Sequence, residues 1–339
     1  GVNNCFRLSM GHRKHSQPRR GSLAYLPRGR AKSMEPRIRT WPDIVSEQPK
    51  LLGYAGFKVG CIQIVSIDDR EKTPNHGKQL VSLGTVVATP PISVIGIRGY
   101  YEDIDGAHAL FDVYSNDMPK EVSRLFTIKP QEGVLEKAEK LLNRVSELFA
   151  VVAVLPNNAG ISQKKPYVFE VAVKGGDIKK QFDFLKGLFG KQVKVEDVFE
   201  LGASVDVASI TKGKGWEGPI TRWGVKKKQH KSRKSVRALG TLGPISPSSI
   251  MYTVPRAGQR GFHQRVEYNK RIMIMSNTGK EDFKINPTGG YKHYGFVDGD
   301  FVVLKGSVPG TYRRLVKLRT QVRNVPNKVL KPNILEIVV

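Results

Sequence analysis

From Gly218 to Val266 the chain runs for 49 residues without an Asp or Glu while carrying eleven Lys/Arg. A stretch so charged cannot neutralise itself, so it resists collapse into a core of its own. Residues 1–34 carry eight basic and no acidic residues, and residues 301–335 again carry eight and none. These three segments hold 27 of the 56 basic residues, and the remaining 221 positions have 29 basic against 30 acidic side chains. The formal charge of +26 is therefore concentrated rather than spread. Segments of this kind call for a dense polyanion, and nucleic acid is the candidate partner.

The remaining bulk properties bound the class. A length of 339 residues accommodates two domains, or one domain with large extensions. Hydrophobic residues at 39% support a core, while 34 Gly and 20 Pro predict much irregular backbone. The longest apolar run, Leu148–Leu155, falls well short of the roughly 20 residues that span a bilayer. No apolar stretch follows the N-terminal cations, so no secretory signal is visible. Cys5 and Cys61 are the only cysteines, giving neither a disulfide framework nor a metal-ligand spacing. The expectation is a cytoplasmic protein with reduced thiols. Met10-Gly11-His12 reads as a natural start, which leaves Gly1–Ser9 either an upstream extension or genuine sequence.

Along the chain, residues 1–50 read as a basic N-terminal arm, rich in Pro, Gly and Ser and poor in apolar periodicity. Residues 51–100 are Val/Ile-rich runs broken by Gly and Pro, as antiparallel strands require. Residues 101–200 read as an α/β insertion. Apolar positions from Val134 to Phe149 fall on a helical stripe, Ala150–Leu155 and Tyr167–Val173 resemble strands, and Asp177 is placed to cap a second helix. Between 101 and 150 there are ten acidic and six basic residues, so this face is expected to point away from nucleic acid. Residues 201–210 resume strand character. Residues 211–255 have no sustained period and read as a central extension ordered by a partner. Strand alternation returns in 256–339, at Arg265–Met275, His293–Leu304 and Thr311–Val322. The fold class is mixed α+β: a mostly antiparallel β domain with an inserted α/β layer and long irregular basic extensions.

Gly213-Lys-Gly-Trp-Glu-Gly218 matches G-x-G-x-x-G after a strand, but Pro219 argues against a helix opening there, and no acid recurs before Glu267 to hold a ribose. The dinucleotide reading is set aside; these glycines instead let the backbone pass close to a bulky partner. Lys226, Lys227, Lys228, Lys231, Arg233, Lys234 and Arg237 form the densest cationic run. It is either a solvated face or localisation signal, or an RNA contact, and its mid-chain, acid-free setting favours RNA. Ten such cations on phosphates would give a log–log salt slope of about −9 on a duplex or −7 on a single strand. Trp216 and Trp223 are interleaved with Lys212, Lys214 and Arg222. They either stack on splayed bases, at roughly 1–3 kcal/mol each, or pack at the root of the extension, the second being the stronger reading for Trp223. Trp41 reads as a packing residue. Arg256, Gln259, Arg260 and Arg265 sit among small residues that permit close backbone approach to phosphate. His12, Arg13, Lys14, His15, Arg19, Arg20, Arg28 and Arg30 in the arm, with Lys292, Arg313 and Arg314 near the C-terminus, complete the candidate RNA contacts. No Cys/His spacing suggests a metal, and no nucleophile–base motif suggests catalysis.

The segments GHRKHSQPRRGSLAYLP near the start, TKGKGWEGPITRWGVKK at 211–227, RAGQRGFHQR at 256–265 and GGYKHYGFVDGDFVVLKGSVPGTYRR at 289–314 together resemble the large-subunit ribosomal protein L three family, in its archaeal/eukaryotic form. The likeness runs from Met10 to the C-terminus. It implies a translation-factor-like antiparallel β-barrel and early binding to large-subunit ribosomal RNA. It further implies a finger (211–255) reaching toward the peptidyl-transferase region. Eukaryotic relatives carry a tryptophan at the finger tip, where this chain has Ile245; that departure counts against a stacking role for the tip and leaves apolar wedging open. The implied partners are large-subunit ribosomal RNA and neighbouring ribosomal proteins, with no membrane, small-molecule substrate, cofactor or second copy of the chain. An RNA-modifying enzyme and a DNA binder are the rival readings, but no cofactor pocket, poised base or basic recognition helix can be nominated for either.

Overall fold

The computed structural model describes residues 18–127, 133–279, 283–323 and 330–339. They divide into two compact units, one of 18–30 with 213–263 and one of 31–212 with 264–339. In chain order the strands are β1 (Lys50–Leu51), β2 (Gly53–Ile67), β3 (Gln79–Ala88), β4 (Ile92–Asp103), β5 (Gly106–Tyr114), β6 (Glu147–Val154), β7 (Tyr167–Lys174) and β8 (Gln192–Val193). They continue as β9 (Ser204–Ile210), β10 (Trp216–Glu217), β11 (Gly258–Gln259), β12 (Gln264–Asn277), β13 (Asp300–Lys305), β14 (Leu315–Thr320) and β15 (Ile334–Val338). The α-helices are α1 (Val134–Leu141), α2 (Ile178–Leu188) and α3 (Pro219–Trp223).

The larger unit holds two antiparallel sheets. In the first, β2 pairs β3, β3 pairs β13, β13 pairs β12, β12 pairs β9, β9 pairs β14, and β14 pairs β2 again. Six strands therefore hydrogen-bond in a cycle, which leaves no ladder edge where they are joined. Strand β15 adds to the far half of β2. The reason for the pattern is visible in β2, where Gly53–Gly60 is buried throughout and only Cys61–Ile67 alternates exposed with buried. Tyr54, Phe57, Ile64, Ile272, Phe301 and Leu318 belong to the core. Tyr54 keeps its buried hydroxyl satisfied by donating to Pro90 O (3.0 Å) and Val193 O (3.1 Å). The second sheet runs β1-β7-β6-β4-β5, with β8 beside β4. Trp41 packs against the core, as expected of it.

Several local readings need correction. The stripe from Val134 is helical only to Leu141, with a 3₁₀ turn to Arg144; Leu148 and Phe149 belong to β6. Strand β4 begins at Ile92 and pairs in the second sheet, so that sheet draws on residues before 101. His293–Gly299 is a turn with positive φ at His293, Gly295 and Gly299, and the strand starts only at Asp300. Helix α2 follows Asp177, whose backbone is extended as a cap requires but whose side chain makes no capping bond.

Two cations of the acid-free segment 301–335 depart from the expectation of a phosphate-neutralising strip. Lys317 is 4% exposed and Arg319 5%. Lys317 Nζ donates to Glu35 Oε1 at 2.7 Å and lies 4.0 Å over the Phe169 ring. Arg319 Nη2 donates to Asp206 Oδ2 at 2.7 Å. Burial lowers the Lys317 pKa, and the Glu35 charge works against that shift. Carboxylates distant in sequence thus neutralise cations that have none nearby in the chain.

Candidate nucleic-acid interface

The smaller unit carries four Lys/Arg in 18–30 and eleven in 213–263 against one carboxylate, Glu217. Its root is a short ladder. Trp216 and Glu217 pair with Gln259 and Gly258, and Lys214 N donates to Arg260 O (2.9 Å) while Arg260 N donates to Gly215 O (2.8 Å). Helix α3 follows immediately, with Pro219 in its first turn and Gly224 in the left-handed conformation at its end. Pro219 thus opens a helix, contrary to the sequence reading, because a first-turn residue has no N–H bond to lose. The helix is five residues long.

Trp223 ends that helix at 5% exposure. Arg28 places its guanidinium 3.8 Å over the indole, and Trp223 Nε1 donates to Arg256 O at 2.9 Å. Gly21, at φ +73°, lies against the same ring; a Cβ there would come within 2.4 Å of it. Arg222 fans over three carbonyls: Nε donates to Gln259 O (3.0 Å), Nη1 to Arg256 O (3.1 Å) and Nη2 to Arg28 O (3.2 Å). Arg28 Nη1 returns a bond to Arg222 O at 2.7 Å. Burial draws the Arg222 pKa down, but a guanidinium stays protonated, so the charge persists. Trp223 is therefore a packing residue, and Arg28 and Arg222 are the clamps that join 18–30 to 213–263. Arg20 adds a bond to Gly224 O (3.0 Å), Arg19 one to Thr253 O, and His263 Nδ1 one to Gly29 O (2.8 Å).

The other candidates divide between the two units. Trp216 is 78% exposed, with a ring available for stacking. Arg19, Arg20, Arg30, Lys214, Lys226, Lys227, Lys231, Arg233, Lys234, Arg237 and Arg256 are exposed; Lys228, Gln259 and Arg260 are half-buried. Residues 240–252 are exposed throughout, and Ile245 reaches 97%. In the larger unit Lys212 lies 5.6 Å over Tyr312, Arg313 donates to Tyr294 O (3.3 Å), and Lys292 is exposed. Arg314 donates to Ile210 O (3.0 Å) and Thr211 O (2.9 Å), fastening the end of β9, and Arg265 donates to Gln264 O (2.7 Å). His12, Arg13, Lys14 and His15 lie outside the described residues. Sequence reasoning missed a further basic locus around Arg37, Arg39 and Tyr268; its only local signal is the Arg-Ile-Arg alternation at 37–39.

The family model described as ribosomal protein L3 matches residues 10–338. The large ribosomal subunit protein uL3 of Methanococcoides burtonii is 40% identical over 97% of this chain and 98% of the relative. That of Caldivirga maquilingensis is 43% identical over 95% of this chain and 94% of its own length. That of Methanococcus vannielii is 40% identical over 95% and 96% respectively.

Proposed function

The chain belongs to the ribosomal protein L3 family, and from that membership we propose that it is a non-enzymatic structural component of the large ribosomal subunit, binding large-subunit ribosomal RNA. In this reading the cyclic sheet of β2, β3, β13, β12, β9 and β14 is a translation-factor-like barrel that serves as platform. The extension 211–255 is a finger directed toward the peptidyl-transferase region, with Ile245 wedging at its tip. The exposed cations from Lys214 to Arg237, with Arg19, Arg20, Arg30 and Arg256, neutralise phosphates, and Trp216 stacks. Lys212, Lys292 and Arg313 extend the same contact, while neighbouring ribosomal proteins are the expected protein partners. The complex forms early in subunit assembly and resides in the cytoplasmic ribosome.

One observation carries this reading: the unit of 18–30 and 213–263 sets fifteen Lys/Arg against a single carboxylate, and it has a clamped root below a wholly exposed 240–252. Ordering such a segment costs about 1–2 kcal/mol per residue in backbone entropy, which phosphate contacts offset. The test is crosslinking in cells followed by RNA sequencing. Large-subunit ribosomal RNA crosslinked to peptides from 18–30 and 213–263 is the expected result; crosslinks mainly to other RNAs, or none from these peptides, contradict it.

A further inference from the structure

The segment 37–40 and strands β9, β12 and β14 enclose a cleft of about 140 Å³ lined by Arg37, Arg39, Asp206, Gln264, Tyr268 and Arg319, among others. One water needs only about 10–15 Å³, so the cleft admits a larger group. Arg319 is buried, with Nη1 donating to Thr40 O and Nη2 to Asp206. Its third nitrogen, Nε, is buried and its N–H meets no acceptor among the described residues. An unmatched guanidinium donor is unfavourable in such a place, and an incoming oxygen would relieve it.

Asp206 is not that acceptor. Its Oδ1 accepts from Asn269 N (3.0 Å), and its Oδ2 accepts from Arg319 and from Val322 N (3.2 Å). With Asp206 and Arg319 cancelling each other's charge, Arg37 and Arg39, both exposed, leave the lining net positive. Gln264 holds this wall in place by accepting from Arg37 N (3.2 Å) and donating to Arg37 O. Arg323 adds a further cation 4.3 Å over the Tyr268 ring.

We propose that this cleft seats a backbone phosphate of RNA, one oxygen accepting from Arg319 Nε while Arg37 and Arg39 neutralise the charge. The inference rests on the reading of the chain as a binder of ribosomal RNA and adds a phosphate site on the barrel itself, apart from the finger. Arg guanidinium groups suit this task because they combine directed donors with a permanent charge.

The experiment uses the full chain, a large-subunit ribosomal RNA transcript and, separately, inorganic phosphate. Binding of the transcript is measured between 50 and 200 mM salt for the wild type, for Arg37→Gln with Arg39→Gln, and for Lys226→Gln with Lys227→Gln. The first double variant alters only exposed side chains, and a circular-dichroism melt checks that its fold is kept. Its log–log salt slope is expected to flatten by about one, as for one lost phosphate. The Arg319 Nε–Hε resonance of the full chain is expected to shift on titration with inorganic phosphate. An unchanged slope in Arg37→Gln/Arg39→Gln, alongside a flattened one in Lys226→Gln/Lys227→Gln, overturns this site and leaves RNA binding intact. A resonance shift with phosphate but no slope change marks a free-phosphate site and overturns the RNA assignment. A resonance indifferent to phosphate overturns it too, as a merely hydrated cleft. Failure of the wild type to bind the transcript would instead overturn the proposed function.

Discussion

Residues 218–266 and 301–335 are alike in sequence, both rich in Lys/Arg and free of Asp and Glu, yet two cations of the second, Lys317 and Arg319, end in surroundings opposite to those of the first. In the first, Lys226, Lys227, Lys231, Arg233, Lys234 and Arg237 are exposed, while Arg222 and Trp223 are fastened to backbone carbonyls. In the second, β14 turns Lys317 and Arg319 inward onto Glu35 and Asp206, 282 and 113 residues away in the chain. A run without carboxylates is thus a statement about sequence neighbours only. Whether its charge needs an outside polyanion is decided by what tertiary pairing brings to it.

The sharpest way to break this contrast is to remove the inward partner. Asp206→Ala leaves Arg319 buried without its counter-ion, and the loss of an ion-pair partner in such a place costs about 3–5 kcal/mol. Urea unfolding of the purified chain should show it; a change below about 1 kcal/mol would mean that the pair does not hold β14 to β9. Trp223→Ala should act on the other region. The loss of the indole that Arg28 covers is expected to raise the rate of proteolytic cleavage within 213–263 at least several-fold. It should leave the main unfolding transition of 31–212 with 264–339 in place. A shift of that main transition as large as the one caused by Asp206→Ala would erase the distinction.

A smaller effect concerns pH. Lys317 has a folded pKa below its ordinary 10.5, chiefly from burial, so the unfolded chain binds the extra proton between those two values. Stability should therefore rise with pH across that window. Glu35→Gln removes the charge that opposes the shift, costing about 1–3 kcal/mol at pH 7 and moving the start of the rise to lower pH. Unfolding curves from pH 7 to 10.5 check the direction, and a flat or falling profile in the variant contradicts it. The smallest effect on stability is expected where the effect on RNA is large. Lys226→Gln, Lys227→Gln and Lys228→Gln together should alter unfolding by no more than about 0.5 kcal/mol. The same change should flatten the salt slope of RNA binding by up to about 0.9 per lost phosphate contact.

The same comparison explains what could be read from the sequence. Helix α2 was legible because Ile178, Phe182 and Leu185 repeat at helical spacing after an Asp, and strands β6, β7 and β9 because each is a short segment dominated by Val, Ala, Ile and Phe. The helix from Val134 was read too long because Val145, Leu148 and Phe149 continue its stripe by coincidence, while the chain has already turned at Arg144 toward a strand. The role of Trp223 was half legible. Packing at the root of the extension was one of its two expected roles, but the Arg28 guanidinium that covers it comes from 195 positions earlier. Arg37 and Arg39 escaped notice because two cations in an irregular segment carry no period, and their surroundings are assembled by β9, β12 and β14.

Quantitative amine labelling of the full chain, free and bound to large-subunit ribosomal RNA, tests the central distinction most directly. Lys226, Lys227 and Lys231 should react readily in the free protein and become protected in the complex, while Lys317 stays unreactive in both. Equal reactivity of the three lysines with and without RNA, or ready labelling of Lys317 in the free protein, would contradict the account.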